Sequence, residues 1–425
     1  MLVLGLAART AQAETYYWDG NDDTADFGTA SGTWAATTVG TTTSGWSMDA
    51  LGATVVNGNS VTTATADGIN FGNGVTGLGA GTITISGTVS VGSITFASGS
   101  GAIVLSGGTS ITLADTATIT ANNSSDTISM PMGGGATSVT KSGTGTLTLS
   151  GNNSYSGVTS IGNGILAIAH NNALGNTTGN TTITATGSST GPQLTLSGNI
   201  ISPENISITG NTEQNNWASV IYNTSGTNTL SGPITLASPT GGIRLGSGAG
   251  ELIFGGTISQ TGTSRALVLQ AYTAAALTVN NAIANNNGPL SVINPGAVTL
   301  KGASTAIGAT TVGEGGLLKL GVKDALKTSA NLTIGFAYNF LGSDQGIFDL
   351  AGFDQTVSAL IGTKNTSNVG ADSTRKVTNS ATGTNTLTVG NGNGAGTFQR
   401  CDPRRRSRKN RGTHQDRHRH TDTRR

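Results

Sequence analysis

The chain has 425 residues, of which 65 are Gly and about 70 are Thr, while only 10% are charged, 4% are aromatic and 8 are Pro. This composition excludes a helical protein, which needs Leu, Ala, Glu and Lys, a highly charged disordered chain, and collagen, which needs Gly at every third position. The net charge of +1 hides an asymmetry: residues 400–425 hold 11 Lys and Arg against 3 Asp, which leaves residues 1–399 with 11 basic and 18 acidic side chains.

The only cysteine, Cys401, lies in that basic end. The body therefore has neither a disulfide framework nor CxxC metal or redox sites. A cysteine-free body suits a chain that crosses an oxidising compartment unfolded. The N-terminal stretch 1–13 reads MLVLGLAARTAQA. Its apolar run is followed by Ala11, Gln12 and Ala13 before Glu14, an A-x-A cleavage pattern, so 1–13 is expected to be the distal part of a secretory signal peptide. The positively charged start of such a peptide is missing, which suggests that the start codon is placed too late. No run approaches 18 apolar residues, so no helix is expected to span a membrane.

From residue 14 onward the dominant signal is alternation. Thr82 to Ile85, Thr88 to Val91 and Ser93 to Phe96 each place apolar residues two apart, and Ile103/Leu105 and Ile111/Leu113 continue the pattern. Period two means strands with one buried and one wet face. Ile83/Ile85 and Ile103/Leu105, and likewise Val89/Val91 and Ile111/Leu113, recur at an interval of roughly 20–22 residues, the period of a short structural repeat. Short strands at such a repeat suggest a solenoid whose coils each contribute two or three strands. With roughly 22 residues per coil, about 17 coils are expected. Inward Val, Ile and Leu would form the core, with Gly and Asn at left-handed corners. A short pattern of apolar, x, Gly, x, Ile appears at Leu196–Ile200, Leu230–Ile234 and Phe254–Ile258. A longer unit covers 139–175, and a weaker copy covers 295–326. In both, a T-L-x-G strand end precedes G-x-T-x-[IV]-G, a Leu-containing strand and A-L.

The longer unit resembles the autotransporter-associated β-strand repeat, also known as the passenger-associated transport repeat. The matching residues are Lys141, Gly143, Gly145, Leu147, Leu149, Gly151, Asn152, Tyr155, Gly157, Thr159, Gly164 and Leu166, then Ala173, Leu174 and Gly175. Phe348 to Val357 resembles segments that follow such repeats. Tyr17-Trp18-Asp19-Gly20, with Trp34 and Trp46 downstream, resembles the start of such passengers. The resemblance implies an all-β, right-handed parallel β-helix of roughly 20–24 residues per coil over 14–398, exported to the cell surface or beyond. It also implies an outer-membrane barrel, whose amphipathic strands are not found in this chain.

The tail, 399–425, shares nothing with the body. It could bind nucleic acid or an anionic surface, hold a metal through His414, His418 and His420, be plainly solvated, or be translated in the wrong frame. Dropping the first base of the codons from His414 to Thr423 permits T-K-T-G-T-G-T-L-T, which matches Thr140 to Thr148 with Thr in place of Ser142. A frameshift near Phe398/Gln399 is the favoured expectation.

Chemistry is sparse. His170, the body's only histidine, follows a strand in an Asn-rich loop, with no nucleophile elbow in the sequence. Asp19, Asn21, Asp23 and Asp26 lack the Gly and Glu of an EF-hand, because Thr24 and Ala30 stand at those positions. Gly143-x-Gly145 lacks the rest of a phosphate loop. Glu251, Asp349 and Asp354 show no glycosidase pairing in sequence. No catalytic residue, metal or cofactor is therefore assigned, and nucleic acid is not expected as a partner. The expected role is a non-enzymatic passenger, an adhesin or stalk that meets host surfaces, glycans or neighbouring cells through repeated weak contacts. A secreted polysaccharide-active enzyme on the same fold, and a non-functional frameshifted product, are the alternatives.

Overall fold

The computed structural model describes residues 13–21, 26–36, 38–39, 45–52, 60–135, 137–186, 191–211, 218–237, 241–335, 345–363 and 375–390. Ala11, Asp23, the tail 399–425 and the frameshift position lie outside the described residues. Within them every regular element is a strand, and the alternation explains why. Ser110–Ala121 buries Ile111, Leu113, Ala117, Ile119 and Ala121 and turns Thr112, Thr116, Thr118 and Thr120 outward. β-branched residues suit such half-buried ribbons.

The strands form a parallel β-solenoid with a 13-stranded sheet, a 14-stranded sheet and an 8-stranded sheet. Inward positions stack into columns. In the first sheet Ile119, Lys141, Ile161, Ile183, Ile208 and Leu236 follow one another on successive rungs. Val89 faces Ile111 and Val91 faces Leu113, as their spacing implied. The other pair is displaced: Ile83 faces Leu105, and Gly81 faces Ile103. A shift of two residues keeps every apolar side chain inward, so alternation cannot detect it.

Most steps between rungs fall close to the expected length, such as the one from Leu267 to Leu290. Others are clearly longer, as from Ile165 to Gln193 and from Leu332 to Leu360. Among the described residues the longest sheet has fourteen strands, fewer than the expected coils, and these longer steps account for part of the difference.

The faces change along the axis. Between residues 138 and 196 the strands alternate between the first and second sheets, and loops occupy the third side. The third sheet begins at Ile201–Ser202, and the first ends at Ile283–Ala284. The two long sequence copies therefore sit on different faces. Ser138–Ser142 and Thr146–Leu149 belong to the first and second sheets, whereas Leu290–Ile293 and Ala297–Leu300 belong to the second and third. The short pattern divides in the same way. Leu230 and Phe254 stack in the third sheet, but Leu196 stacks on Asn223 in the second.

The N-terminal end is closed by aromatics. Thr15–Asp19 pairs antiparallel with Gly45–Ser47, which breaks the parallel series. Trp46 packs edge-on against Trp18 at 4.8 Å and against Trp34 at 5.4 Å, and all three are buried. A repeat array needs such a cap because its terminal coil would otherwise expose the core.

Candidate functional site

The matching residues of 139–175 build one corner of the solenoid. Lys141 occupies an inward position between Ile119 and Ile161 and is 1% exposed. Its aliphatic stem continues the apolar column. Its ammonium reaches around the bend and donates to the carbonyls of Ser142 at 2.8 Å, Gly143 at 2.9 Å and Asn163 at 3.1 Å. Carbonyls withdrawn from water need donors, and here one side chain supplies three part-buried ones. The glycines permit the close passage. A Cβ at Gly145 would collide with the Asn123 carbonyl, and one at Gly164 with the carbonyls of Gly143 and Gly145.

The remaining motif residues are structural neighbours of this corner. Leu147, Leu149, Leu166 and Leu174 are buried. The hydroxyl of buried Tyr155 meets Thr159 Oγ1 at 2.9 Å, and that hydroxyl donates to the Leu174 carbonyl. Gly175 lies against the Tyr155 ring, where a Cβ would clash, and Gly151 lies similarly against the Met130 carbonyl. Gly157 donates its N–H to the Thr137 carbonyl. Asn152 is exposed. Far from this corner, Ala13 is exposed, and Glu14 donates its backbone N–H to Asp67.

Two features escaped the sequence reading. Asp126 is fully buried beside this corner. Its Oδ1 accepts the Ile103 N–H and the Asn123 side-chain amide, both at 3.1 Å, while its Oδ2 and Asn123 Oδ1 have no partner. Burial pushes its carboxyl up to about 6, against the lowering effects of Asn123, Ile103 and the Lys141 charge. Burial likewise pulls Lys141 down to about 8, against the Asp126 charge. The signal was present: Asp126-Thr127-Ile128 alternates in phase, which puts Asp126 inward. Glu204 is also buried, and its Oε1 accepts from Thr181 Oγ1. Burial pushes Glu204 up to about 7, partly countered by that hydroxyl.

The second feature is a cleft of about 270 Å³ between the loops that fill the third side. Asn152, Asn153, Ser154, Asn172, Asn176 and Thr177 line it. Asn153 staples three coils, accepting the Met132 N–H at 2.9 Å and donating to the Ala173 carbonyl at 2.6 Å. Asn172 donates its side-chain amide to Asn152 Oδ1 at 2.9 Å. Asn176 Oδ1 accepts the backbone N–H and the hydroxyl of Thr178. His170 borders these loops, and its Nδ1 accepts the Asn172 N–H.

The candidate acids are not brought together. Glu251 accepts from Thr278, Asp349 from the Ala351 and Ser380 N–H groups, and Asp354 from the Thr386 N–H. At the N-terminus, Asp19 and Asp26 accept from Asn21 and Gly28 within one turn. Among the described residues no three His, Cys, Asp or Glu side chains gather as a metal set.

No curated protein and no solved structure matches the chain. A family model described as Passenger-associated-transport-repeat matches residues 139–168, the stretch that holds the Lys141 corner, and this repeat within a β-solenoid fits an autotransporter passenger.

Proposed function

We propose that the chain is the exported passenger of an autotransporter, displayed at the cell surface as a non-enzymatic adhesive stalk. The observation that carries this reading is the repeat at 139–168, set without interruption in a parallel solenoid. The outward faces supply the adhesive chemistry. Thr118, Thr140, Ser160, Thr182, Ser207, Thr235 and Ser259 form one register column of hydroxyls on the first sheet. Single hydroxyl contacts are weak in water, so many displayed copies would have to act together. Host surfaces, glycans and neighbouring cells are the partners considered, with outer-membrane attachment through a translocator barrel.

The test is display. The chain is fused ahead of a translocator barrel in a Gram-negative host, and surface protease accessibility and cell-to-surface adhesion are scored. Surface exposure with gained adhesion supports the reading. Exposure without adhesion removes the adhesive role, and retention inside the cell removes the passenger role. We also propose that residues after about 398 are translated out of frame. Resequencing the gene from codon 390 checks this, and a shifted frame without T-K-T-G-T-G-T-L-T defeats it.

A further inference from the structure

We propose that the amide-lined cleft at 152–177 is a binding subsite for an uncharged sugar residue. The inference rests on the adhesive reading above and names the ligand class that one site would take. Three observations carry it.

The first is the unused hydrogen-bonding capacity of the rim. Asn152 accepts from Asn172, which leaves the Asn152 NH2 and the Asn172 Oδ1 unpaired. Asn176 uses only its Oδ1, which leaves a second NH2. Asn152, Asn172 and Asn176 are all exposed. The cleft thus offers two amide donors and one amide acceptor, with the Ser154 and Thr177 hydroxyls beside them. Amides both donate and accept, as neighbouring sugar hydroxyls do, so each ring edge can be met in kind.

The second is charge. No Asp, Glu, Lys or Arg lines the cleft. A sulfated, phosphorylated or sialylated glycan would find no countercharge in the lining, whereas a neutral sugar can use every group it offers.

The third is rigidity. The walls are not free loops. The Asn153 N–H donates to the Asn172 carbonyl, the Ser154 N–H to Met132 and the Asn176 N–H to Tyr155. Asn153 is buried and tied on both sides by its own side chain. Preformed walls reduce the ordering cost of binding, which matters most when contacts are few. The volume of about 270 Å³ suits one or two sugar rings rather than a peptide segment with side chains.

The full chain is titrated, with saturation-transfer NMR as readout, against glucose, galactose, mannose, N-acetylglucosamine and their uncharged disaccharides, with sialyllactose and heparin fragments as anionic comparisons. The expected result is saturable, weak binding of at least one neutral sugar. Asn152→Asp and Asn176→Asp each replace an amide donor with a carboxylate of the same shape, and each should weaken binding by roughly fivefold or more. Both sites are exposed, and an unchanged circular dichroism spectrum confirms the fold. Binding of none of the neutral sugars, binding that both variants leave unchanged, or preference for the anionic glycans overturns the proposal. The same variants are then displayed on cells. If adhesion survives while sugar binding is lost, the subsite is real and the adhesive stalk works through another surface. If the parent binds no sugar yet still adheres, the subsite fails and the adhesive reading stands.

Discussion

Asp126→Asn should change stability in a way that depends on pH. The folded carboxyl is pushed from 3.8 up to about 6 by burial. The native state therefore binds this proton more tightly than the unfolded chain does. The resulting stabilisation is complete below the unfolded value near 4 and is lost as pH rises through 6. Two pKa units at 1.36 kcal/mol each give about 3 kcal/mol between pH 4 and pH 7.5. Asparagine keeps the shape and, like the protonated acid, carries a donor on its second arm, where the carboxylate oxygen Oδ2 has no partner. The variant should match the parent near pH 4 and exceed it by about 1–3 kcal/mol at pH 7.5, less whatever Lys141 loses with its negative neighbour. Urea unfolding followed by far-ultraviolet circular dichroism at half-unit pH steps measures the difference. A variant-minus-parent difference that is flat from pH 4.5 to 7.5 would refute the reasoning, because it would mean that Asp126 does not titrate in this window.

Other outcomes follow from the same contacts. Glu204→Gln should flatten the stability profile between pH 5 and 8 with the same sign, since burial raises that carboxyl to about 7; a variant whose pH profile overlays the parent would contradict it. Lys141→Ala deprives three carbonyls of their donor and opens a cavity, for a cost of about 3–5 kcal/mol. Lys141→Met keeps the stem and should cost clearly less, read as the shift in urea midpoint. Gly145→Ala drives a methyl into the Asn123 carbonyl and should cost more than about 3 kcal/mol, visible as loss of soluble protein and new proteolysis near 142–145. Trp46→Ala removes the ring that joins Trp18 and Trp34 and should cost about 3–5 kcal/mol, with a change in tryptophan fluorescence relative to a Trp217→Phe background reporting exposure of Trp18 and Trp34.

The strands were legible in the sequence because period-two alternation is imposed by the pleat itself. Ile111/Leu113 and Val89/Val91 even declare their register. Register elsewhere was not legible, because a two-residue slip such as that of Ile83 onto Leu105 leaves the apolar pattern untouched. The motif glycines could be read as turns, but the reason for Gly145 could not. Its constraint is a carbonyl on the preceding coil, at Asn123, which only stacking brings near. The cleft was hidden for the same reason. Asn152 and Asn172 are unremarkable loop residues until one coil is laid on the next. Asp126 was missed because a carboxylate amid Ser and Thr reads as surface, although its phase with Ile128 points inward.

The two long copies show what the repeat encodes. Residue for residue, Val292 stands where Lys141 does, Asn294 where Gly143 does and Gly296 where Gly145 does. Asn294 takes the same left-handed backbone as Gly143, at φ 67° against 75°. Ser304 stands where Asn153 does, and its hydroxyl accepts the Ile283 N–H just as Asn153 accepts that of Met132. Its own N–H donates to Ala325, as that of Asn153 donates to Asn172. The corner is thus reproduced down to its inter-coil bonds, yet it lies between the second and third sheets rather than the first and second. The repeat therefore specifies strand, corner, strand and loop, and not a face of the solenoid. Both corners that hold it make the same two demands, inward alternation and a left-handed residue. The Lys141 cage adds a donor for three carbonyls at the first of these corners. Where Val292 replaces the lysine, the inner column stays apolar. The family model matches the copy that carries the lysine, at 139–168.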